Sequence, residues 1–334
     1  MTRGLQLTLL GLLASALQPR QAQCWWGNGH MIVARIAYDI LEKDIRDKAD
    51  SVLSHLMPFT TLEDQHPFVE CATFADEIKG RGWNDQANLH YIDQPFFDQG
   101  FMIQVAPESE NVTWAIDMIV ANMNRKNLEM ESGVSWDLSD SYHLRMLIHY
   151  IGDIHQPLHA SSRYTKDYPM GDEGGNAVKL RVNASDEVTN LHALWDSVVT
   201  AQVDDMTLPL SESNWEKLGN ISSRLRSEHP QSIVENNFNL DPNMWADESF
   251  QIVKEEIYSD FFDGEDSVFS PSQDYIDRSK LIAERQIAKA GYRLAQVLSN
   301  IWSSHQNKSS PLDSESHQDL THESSKISPK FLQE

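Results

Sequence analysis

Helical periodicity is the feature that most strongly constrains the fold of this chain. Apolar residues recur at spacings of three and four, the pattern of an amphipathic α-helix, in six segments: residues 31–45, 114–130, 142–156, 190–199, 247–258 and 275–302. Strand-like alternation is limited to Val178, Leu180 and Val182, which follow Gly174-Gly175 and predict a short β-hairpin. The sequence therefore predicts an all-α, single-domain fold that is mostly helical.

The two ends of the chain differ from this helical middle. Residues 1–24 have the pattern of a secretory signal peptide, with a basic start, an apolar stretch over 5–17 and small residues before a cut that would leave Trp25 as the new amino terminus. Residues 304–334 are rich in polar side chains and hold too few apolar ones to pack, so they predict a disordered tail. The globular domain is expected to span 25–303.

Composition and charge exclude several classes of protein. The 334 residues include 27 basic and 50 acidic side chains, for a formal net charge of −23, which excludes a bulk basic nucleic-acid binder. Beyond the signal segment, no apolar run approaches the ~20 residues of a membrane helix, so no membrane anchor is expected. Nothing in the sequence indicates a protein partner.

The sequons agree with secretion, and the cysteine count limits how the secreted protein can be stabilised. Four Asn-x-Ser/Thr sequons, at Asn111, Asn183, Asn220 and Asn307, suit a glycosylated surface. Of the two cysteines, one would be removed with the signal peptide and Cys71 left alone, so no intramolecular disulfide can form. We expect a protein that is secreted, or held in the lumen of the secretory or endolysosomal route, and stabilised by something other than disulfides.

Two helical segments carry a histidine and an aspartate four residues apart. His149 and Asp153 lie in one segment, and His192 and Asp196 in the other, so each pair shares one face of its helix. The proline that follows the first pair is expected to end that helix and turn His159 back towards it. One such pair alone is more often a surface hydrogen bond. Burying two unpaired carboxylates among apolar neighbours would cost several kcal/mol each, however, and a divalent cation would supply the missing charge.

Three more donors lie upstream of these pairs. Asp76, His90 and His30 each have apolar neighbours or lie near the predicted new amino terminus, and each alone would be an ordinary core or loop residue. Imidazole and carboxylate donors without thiolate suit zinc. Together with the two pairs, they exceed what one tetrahedral ion binds, so several ions are expected. Zinc would also provide the stabilisation that disulfides do not.

The motifs that contain these candidate ligands resemble those of a known family. Six short motifs resemble, in order and spacing, the successive motifs of the S1/P1 nucleases: Trp25-Trp26-Gly27-Asn28-Gly29-His30, Phe74-Ala75-Asp76-Glu77, Leu89-His90-Tyr91-Ile92-Asp93, His149-Tyr150-Ile151-Gly152-Asp153-Ile154-His155-Gln156-Pro157-Leu158-His159, Gly174-Gly175-Asn176 and Asn190-Leu191-His192-Ala193-Leu194-Trp195-Asp196. The final helical segment is similar too, so the resemblance spans residues 25–302. It implies a phospholipase C/P1 nuclease-like fold.

The resemblance implies three Zn²⁺ ions with defined ligand sets. The first ion would be bound by Asp76, His90, His149 and Asp153, and the second by His159, His192 and Asp196. The third would be bound by the free amino nitrogen and carbonyl oxygen of Trp25 together with His30 and the shared Asp153. Because signal-peptide removal creates that amine, secretion and assembly of the third site are expected to be linked.

The resemblance also implies an activity and further site residues. The expected enzyme is a hydrolase, a phosphodiesterase that cuts single-stranded DNA and RNA to 5′-phosphate products and also acts as a 3′-nucleotidase. Asp76, Asp153 and Lys79 would have catalytic roles, with two ions sharing Asp153 to activate a water molecule and Lys79 standing where the family has a phosphate-binding arginine. The substrate-binding residues would be Lys79, Tyr91, Asp93 and Asn176.

Two alternatives remain at this stage. Zinc-dependent phospholipases C share the scaffold, but they typically have glutamate at the position of Asp196 and a longer step than the five residues from Trp25 to His30. The other alternative is a secreted zinc-binding protein without catalysis, which the complete set of ligand positions disfavours.

Overall fold

The computed structural model describes residues 25–130, 133–181, 188–200, 206–234, 239–259 and 268–303. The predicted signal peptide, the predicted tail, Asn183 and Asn307 lie outside these ranges. The described residues up to Trp302 belong to one compact unit.

The described residues are mostly helical, as the periodicity predicts. The α-helices run over Gly27–Ile40 (α1), Lys43–Leu53 (α2), Pro67–Glu70 (α3), Phe74–Gly80 (α4), Val112–Met130 (α5), Leu138–Asp153 (α6), Leu191–Ser197 (α7), Glu212–Glu228 (α8), Gln231–Val234 (α9), Pro242–Ile252 (α10) and Gln273–Ser303 (α11). Short 3₁₀ helices cover Met57–Phe59, Cys71–Thr73, Asn84–His90 and Pro157–Ala160, and a π-helical turn covers Val253–Ile257.

The helices differ from the six predicted segments, most clearly in the three cases that follow. The segment 31–45 is divided, because α1 ends at Ile40 and α2 begins at Lys43. Helix α10 begins earlier than expected, since Asp241 accepts a hydrogen bond from the N–H of Asn243 and so caps its start. Helix α8 was not predicted. It is capped by Ser211 but buries few residues. Its sequence therefore contains too few apolar residues at helical spacing for the helix to be predicted from periodicity.

Within the described ranges the strands are few and short. They form two parallel pairs: Gln94–Phe97 (β1) with Ser161–Tyr164 (β2), and Lys179–Leu180 (β3) with Val268–Phe269 (β4). The predicted hairpin at 178–182 is reduced to one antiparallel bridge between Lys179 and Asn190, and Val182 lies outside the described residues. Parallel pairing joins segments that are distant in the chain, so local alternation does not reveal it.

Helix α6 forms the centre of the core. Its start is fixed by a capping box between Asp137 and Asp140. Every residue from Leu144 to Asp153 is buried, and α1, α2, α4 and α5 pack around the helix. A helix surrounded on all sides places any polar residue near its end inside the protein. The ligands predicted on α6 therefore lie in the core.

Pairing of β1 with β2 joins two segments that carry predicted ligands. β1 follows the 3₁₀ helix that ends at His90, and β2 follows the one that contains His159. The backbone N–H of Ile92 donates to the carbonyl of His159 at 2.9 Å. None of the helices in the described ranges combines the length and apolar character needed to cross a membrane.

Candidate metal centre

Three groups of buried histidine and aspartate side chains converge beside the end of α6. In each group the candidate ligand atoms lie within 4.8 Å of one another: His30, His149 and Asp153; Asp76, His90 and His149; His159, His192 and Asp196. Every side chain predicted as a zinc ligand belongs to one of these groups. The first two groups share His149.

Asp153 lies where the first two groups meet. It is fully buried, and its Oδ1 is 3.3 Å from Nε2 of His30. Its other oxygen, Oδ2, is 2.9 Å from Nδ1 of His90 and 3.3 Å from Nε2 of His149. One carboxylate thus presents a different oxygen to each group, as a bridging ligand would.

A glycine next to Asp153 makes room for His30. A Cβ added at Gly152 would lie 2.7 Å from Nδ1 of His30, closer than side chains approach one another. With no side chain there, the His30 ring stacks on that of His149 with 3.8 Å between centroids and an interplanar angle of 13°. Helix α1 therefore packs its imidazole directly against α6.

Helix α4 supplies a carboxylate and an ammonium group. Asp76 has oxygens 3.8 Å from Nδ1 of His90 and 3.8 Å from Nε2 of His149. One turn later, Nζ of Lys79 lies 2.7 Å from Oδ1 of Asp76. The lysine that was predicted to bind phosphate is therefore at the edge of the metal centre.

The third group is held by α7 and by the 3₁₀ helix Pro157–Ala160. Nε2 of His159 lies 3.2 Å from Nε2 of His192, which in turn is 3.5 Å from Oδ2 of Asp196. Asn190 caps α7 by accepting a hydrogen bond from Ala193 N–H at 2.8 Å. The proline turn brings His159 to the pair on α7, the grouping that the resemblance implied for the second ion.

Backbone carbonyls fix the tautomer of three imidazoles. Nδ1 of His149 is 2.7 Å from the carbonyl of Ala72, Nδ1 of His159 is 2.6 Å from that of His90, and Nδ1 of His192 is 2.8 Å from that of Gly174. Because a carbonyl only accepts hydrogen bonds, each Nδ1 must carry the proton. This leaves the lone pair of a neutral ring on Nε2, which is the usual arrangement of a metal-binding histidine.

The protonation of the third group follows from its burial. Burial lowers the pKa of His159 to about 3 and that of His192 to about 4. Both rings are therefore neutral near physiological pH, and their Nε2 lone pairs face each other. Burial also raises the pKa of Asp196 well above its usual range. A divalent cation placed here would accept the lone pairs of both imidazoles and would stabilise the ionised form of the buried Asp196 carboxylate.

Asp153 has the opposite electrostatic setting. Burial alone would raise its pKa, but the surrounding imidazoles, first of all His149, hold the pKa well below its usual range. The imidazoles therefore favour its ionised form in spite of the burial. Burial lowers the pKa of His149, but Asp153 and Asp76 raise it above its ordinary value.

Unsatisfied buried atoms test whether these residues fit metal ions. Both carboxylate oxygens of Asp153, Oδ2 of Asp196 and both ring nitrogens of His30 are buried and make no hydrogen bond of acceptable geometry, although imidazole nitrogens lie within 3.3 Å of both Asp153 oxygens. Leaving a buried polar group unsatisfied costs about 1–3 kcal/mol. Nitrogen and oxygen donors in this number and spacing suit zinc, so the residues fit the predicted ions.

The start of the domain lies against the same site. Trp25 is fully buried, and its indole Nε1 donates to the carbonyl of Gly152 at 2.9 Å. The backbone N–H of Trp26 donates to the carbonyl of Asp196 at 3.3 Å. A Cβ at Gly29 would lie 2.8 Å from Cβ of Trp25, so a glycine is needed for this packing. Metal binding by the Trp25 amine remains a prediction.

Of the predicted substrate contacts, Tyr91 and Asp93 closely follow the predicted ligand His90 in sequence, whereas Asn176 has no predicted ligand beside it. Tyr91 is 36% exposed, and Asp93 adopts a positive φ of 52°. Burial, with repulsion from Asp172 and Glu173, raises the pKa of Asp93 to about 7. Asn176 forms a turn, in which Nδ2 donates to the carbonyl of Glu173 at 2.8 Å. Contact of these residues with a substrate remains a prediction.

The two described sequons differ in their surroundings. Asn220 is exposed on α8. Asn111 is buried at the start of α5, where Oδ1 accepts from Thr113 N–H at 3.0 Å and Nδ2 donates to the carbonyl of Glu108 at 2.8 Å. Of these two, only Asn220 has an accessible amide in the folded domain.

Two features of the structure were not identified from the sequence. Gln156 donates from Nε2 to Oδ1 of Asp196 at 2.7 Å, although it lies inside a recognised motif. A separate group, Glu228, His229 and Glu284, also brings possible ligand atoms together. There Arg224 already bridges the two glutamates, at 2.6 and 3.0 Å.

Comparison with known proteins gives consistent matches over nearly the whole domain. A family model described as S1/P1 nuclease matches residues 25–303. Endonuclease 4 of Arabidopsis thaliana is 27% identical over 85% of this chain and 91% of its own length, and Endonuclease 1 of the same plant is 28% identical over 84% and 87%. Nuclease S1 of Aspergillus oryzae is 27% identical over 87% of this chain and 96% of its own length.

Proposed function

Because the chain belongs to the S1/P1 nuclease family and is thus a metal-dependent phosphodiester hydrolase, we propose that it is a zinc-dependent endonuclease of single-stranded DNA and RNA that leaves 5′-phosphate ends. The observation that carries the proposal is the convergence of three buried ligand groups around the end of α6. Action on 3′-mononucleotides would use the same groups.

The chain's own residues define where three zinc ions would bind. Asp76, His90, His149 and Asp153 would hold one, His159, His192 and Asp196 another, and the Trp25 amine and carbonyl with His30 and Asp153 the third. Bound zinc ions lower the pKa of water towards neutrality and offset negative charge that builds up in phosphoryl transfer.

Lys79 is suited to bind the scissile phosphate. Its side chain is only 12% exposed, and its ammonium group is held 2.7 Å from Asp76 at the edge of the candidate metal centre. A partly desolvated charge attracts a phosphate oxygen more strongly than one in bulk water. Lysine binds as a point charge, without the two-pronged geometry of arginine.

Tyr91 and Asp93 are suited to bind a base. Tyr91 immediately follows the ligand His90 and keeps about a third of its surface exposed, 36%, for stacking. Stacking on an aromatic ring accepts any base and requires that the base be unpaired, which favours single strands. Asp93, with its pKa raised to about 7, would hydrogen bond to the base edge in either protonation state.

Secretion is part of the proposal. The family match begins at Trp25, and the described structure buries this residue against Gly152. We infer cleavage of a signal peptide before Trp25, with release to the secretory route and a glycan on Asn220. Only the mature amino terminus would complete the third zinc site.

The test uses the mature protein with a defined amino terminus. Single-stranded DNA, RNA, duplex DNA, a 3′-mononucleotide and a phosphatidylcholine vesicle would each be incubated with the enzyme, before and after chelation and zinc restoration. We expect rapid zinc-dependent release of 5′-phosphorylated products from single strands. Release of phosphocholine would instead indicate a phospholipase, and no turnover of any substrate by a zinc-loaded protein would contradict the proposal.

A further inference from the structure

Gln156 lies between the ligand groups and is fully buried. Its backbone N–H donates to the carbonyl of Asp153 at 2.9 Å, and its own carbonyl accepts from the N–H of His159 at 3.0 Å. The main chain of Gln156 therefore joins Asp153 to His159, which belongs to the group formed with His192 and Asp196.

The side-chain amide of Gln156 has one possible orientation. Its Oε1 accepts a hydrogen bond from the backbone N–H of Leu158 at 2.6 Å, and a backbone N–H only donates. The amide NH₂ must therefore point the other way, where Nε2 lies 2.7 Å from Oδ1 of Asp196. The amide is held by the backbone at one end and directs a donor at a predicted ligand with the other.

This contact distinguishes the two oxygens of Asp196. Oδ1 accepts the amide hydrogen bond, whereas Oδ2 is buried without a partner and lies 3.5 Å from Nε2 of His192. The free oxygen is thus the one that faces the imidazoles. The amide is a neutral donor, so it orients the carboxylate without adding positive charge beside a cation.

We propose that Gln156 is a positioning residue that presents Asp196 to its zinc ion through Oδ2 alone and thereby sets the affinity of the group formed by His159, His192 and Asp196. The inference rests on the proposed function, in which this group holds a zinc ion. Removing a residue that orients a metal ligand typically weakens metal binding about 10- to 100-fold.

Two variants and a matched control test the proposal. Gln156→Met removes the amide while keeping the length of the side chain, and Gln156→Glu keeps an acceptor for Leu158 N–H while losing the donor to Asp196. The control is Gln286→Met on α11. Gln286 is equally buried, but its Nε2 donates to the carbonyl of His155 at 3.3 Å and contacts no predicted ligand.

The measurement is the number of zinc ions per mature chain, determined by mass spectrometry after dialysis against a series of zinc buffers. We expect the wild type and Gln286→Met to fill all three sites together over the same range. Both Gln156 variants should keep two ions and need about 10- to 100-fold more free zinc for the last. If Gln156→Met does not fold, Gln156→Glu provides the comparison.

The possible outcomes separate this inference from the proposed function. Wild-type zinc affinity in the Gln156 variants would overturn the inference and leave the proposed nuclease intact. An equal loss in Gln286→Met would assign the effect to core packing and also overturn it. A wild-type chain that binds no zinc at this group would overturn both.

Discussion

Replacing Gly152 by alanine should disturb the metal centre through a single methyl group. The new Cβ would lie 2.7 Å from Nδ1 and 3.0 Å from Cε1 of His30, whereas ordinary contacts begin at 3.4 Å, so the ring must withdraw by about 0.7 Å. The ring is already stacked on His149 at 3.8 Å and has its Nε2 3.3 Å from Asp153, so it cannot move without disturbing both.

The expected costs follow from this geometry. Overpacking of a core site costs about 1–3 kcal/mol of the free energy of unfolding, only partly offset by the about 0.5–1 kcal/mol that alanine gains over glycine in a helix. A displacement approaching 1 Å in a catalytic centre lowers the rate by up to about 100-fold. Gly152→Ala should therefore lose the ion bound by His30 and most single-strand cleavage.

Gly80→Ala is the matched control for this variant. Gly80 ends α4, one residue after Lys79, and a Cβ built there meets no atom within 4 Å. Zinc content, cleavage of single-stranded DNA and thermal unfolding would be compared for the two variants and the wild type. If Gly152→Ala retains wild-type zinc content and activity, the packing of His30 against α6 does not control the site and the reasoning is refuted.

Three further predictions concern charge and pH. Lys79→Met should lower the cleavage rate about 100-fold with zinc content unchanged, and Lys79→Arg should restore most of it; equal rates in a kinetic assay would contradict a phosphate contact. Burial lowers the pKa of His155, His159 and His192 below their values in the unfolded chain. As the pH falls, these histidines therefore take up protons at a higher pH in the unfolded chain than in the folded protein. In chelator-treated protein, the free energy of unfolding measured with urea should therefore fall as pH drops below about 6.5, and a flat profile between pH 7 and 4 would oppose this. Burial and the neighbouring Asp47 raise the pKa of Asp50 to about 6, so ionising it destabilises the fold at pH 7. Asp50→Asn should stabilise the protein by about 1 kcal/mol at pH 7, allowing for solvent screening of a half-buried group, with the gain disappearing towards pH 4; a gain independent of pH would be the wrong result.

The placement of the predicted ligand side chains could be anticipated because local geometry determines much of it. Two helical pairs, His149 with Asp153 and His192 with Asp196, share a face whenever their segments are helical, and the structure has both helices. A proline after α6 had to turn the chain, and it brought His159 to His192. Because these polar residues lie within otherwise apolar helices, the sequence indicated that they are buried in the core.

The surroundings of those ligands were not predictable from local sequence. The carbonyls of Ala72 and Gly174 that fix imidazole tautomers come from distant segments. Every residue has a backbone carbonyl, so the residue types at these positions do not reveal the contacts. The close approach at Gly152 depends on how α1 crosses α6. The parallel pairing of β1 with β2 likewise depends on contacts between segments far apart in the chain.

The central claim is that buried donors from separate elements converge to bind three zinc ions. The most direct measurement is X-ray diffraction from crystals of the mature protein at the zinc absorption edge, where each ion gives an anomalous peak. We predict three peaks, two of them beside the carboxylate of Asp153 and one between His159, His192 and Asp196, with the Trp25 amine contacting one of the first two. A single peak, or peaks remote from these side chains, would contradict the account.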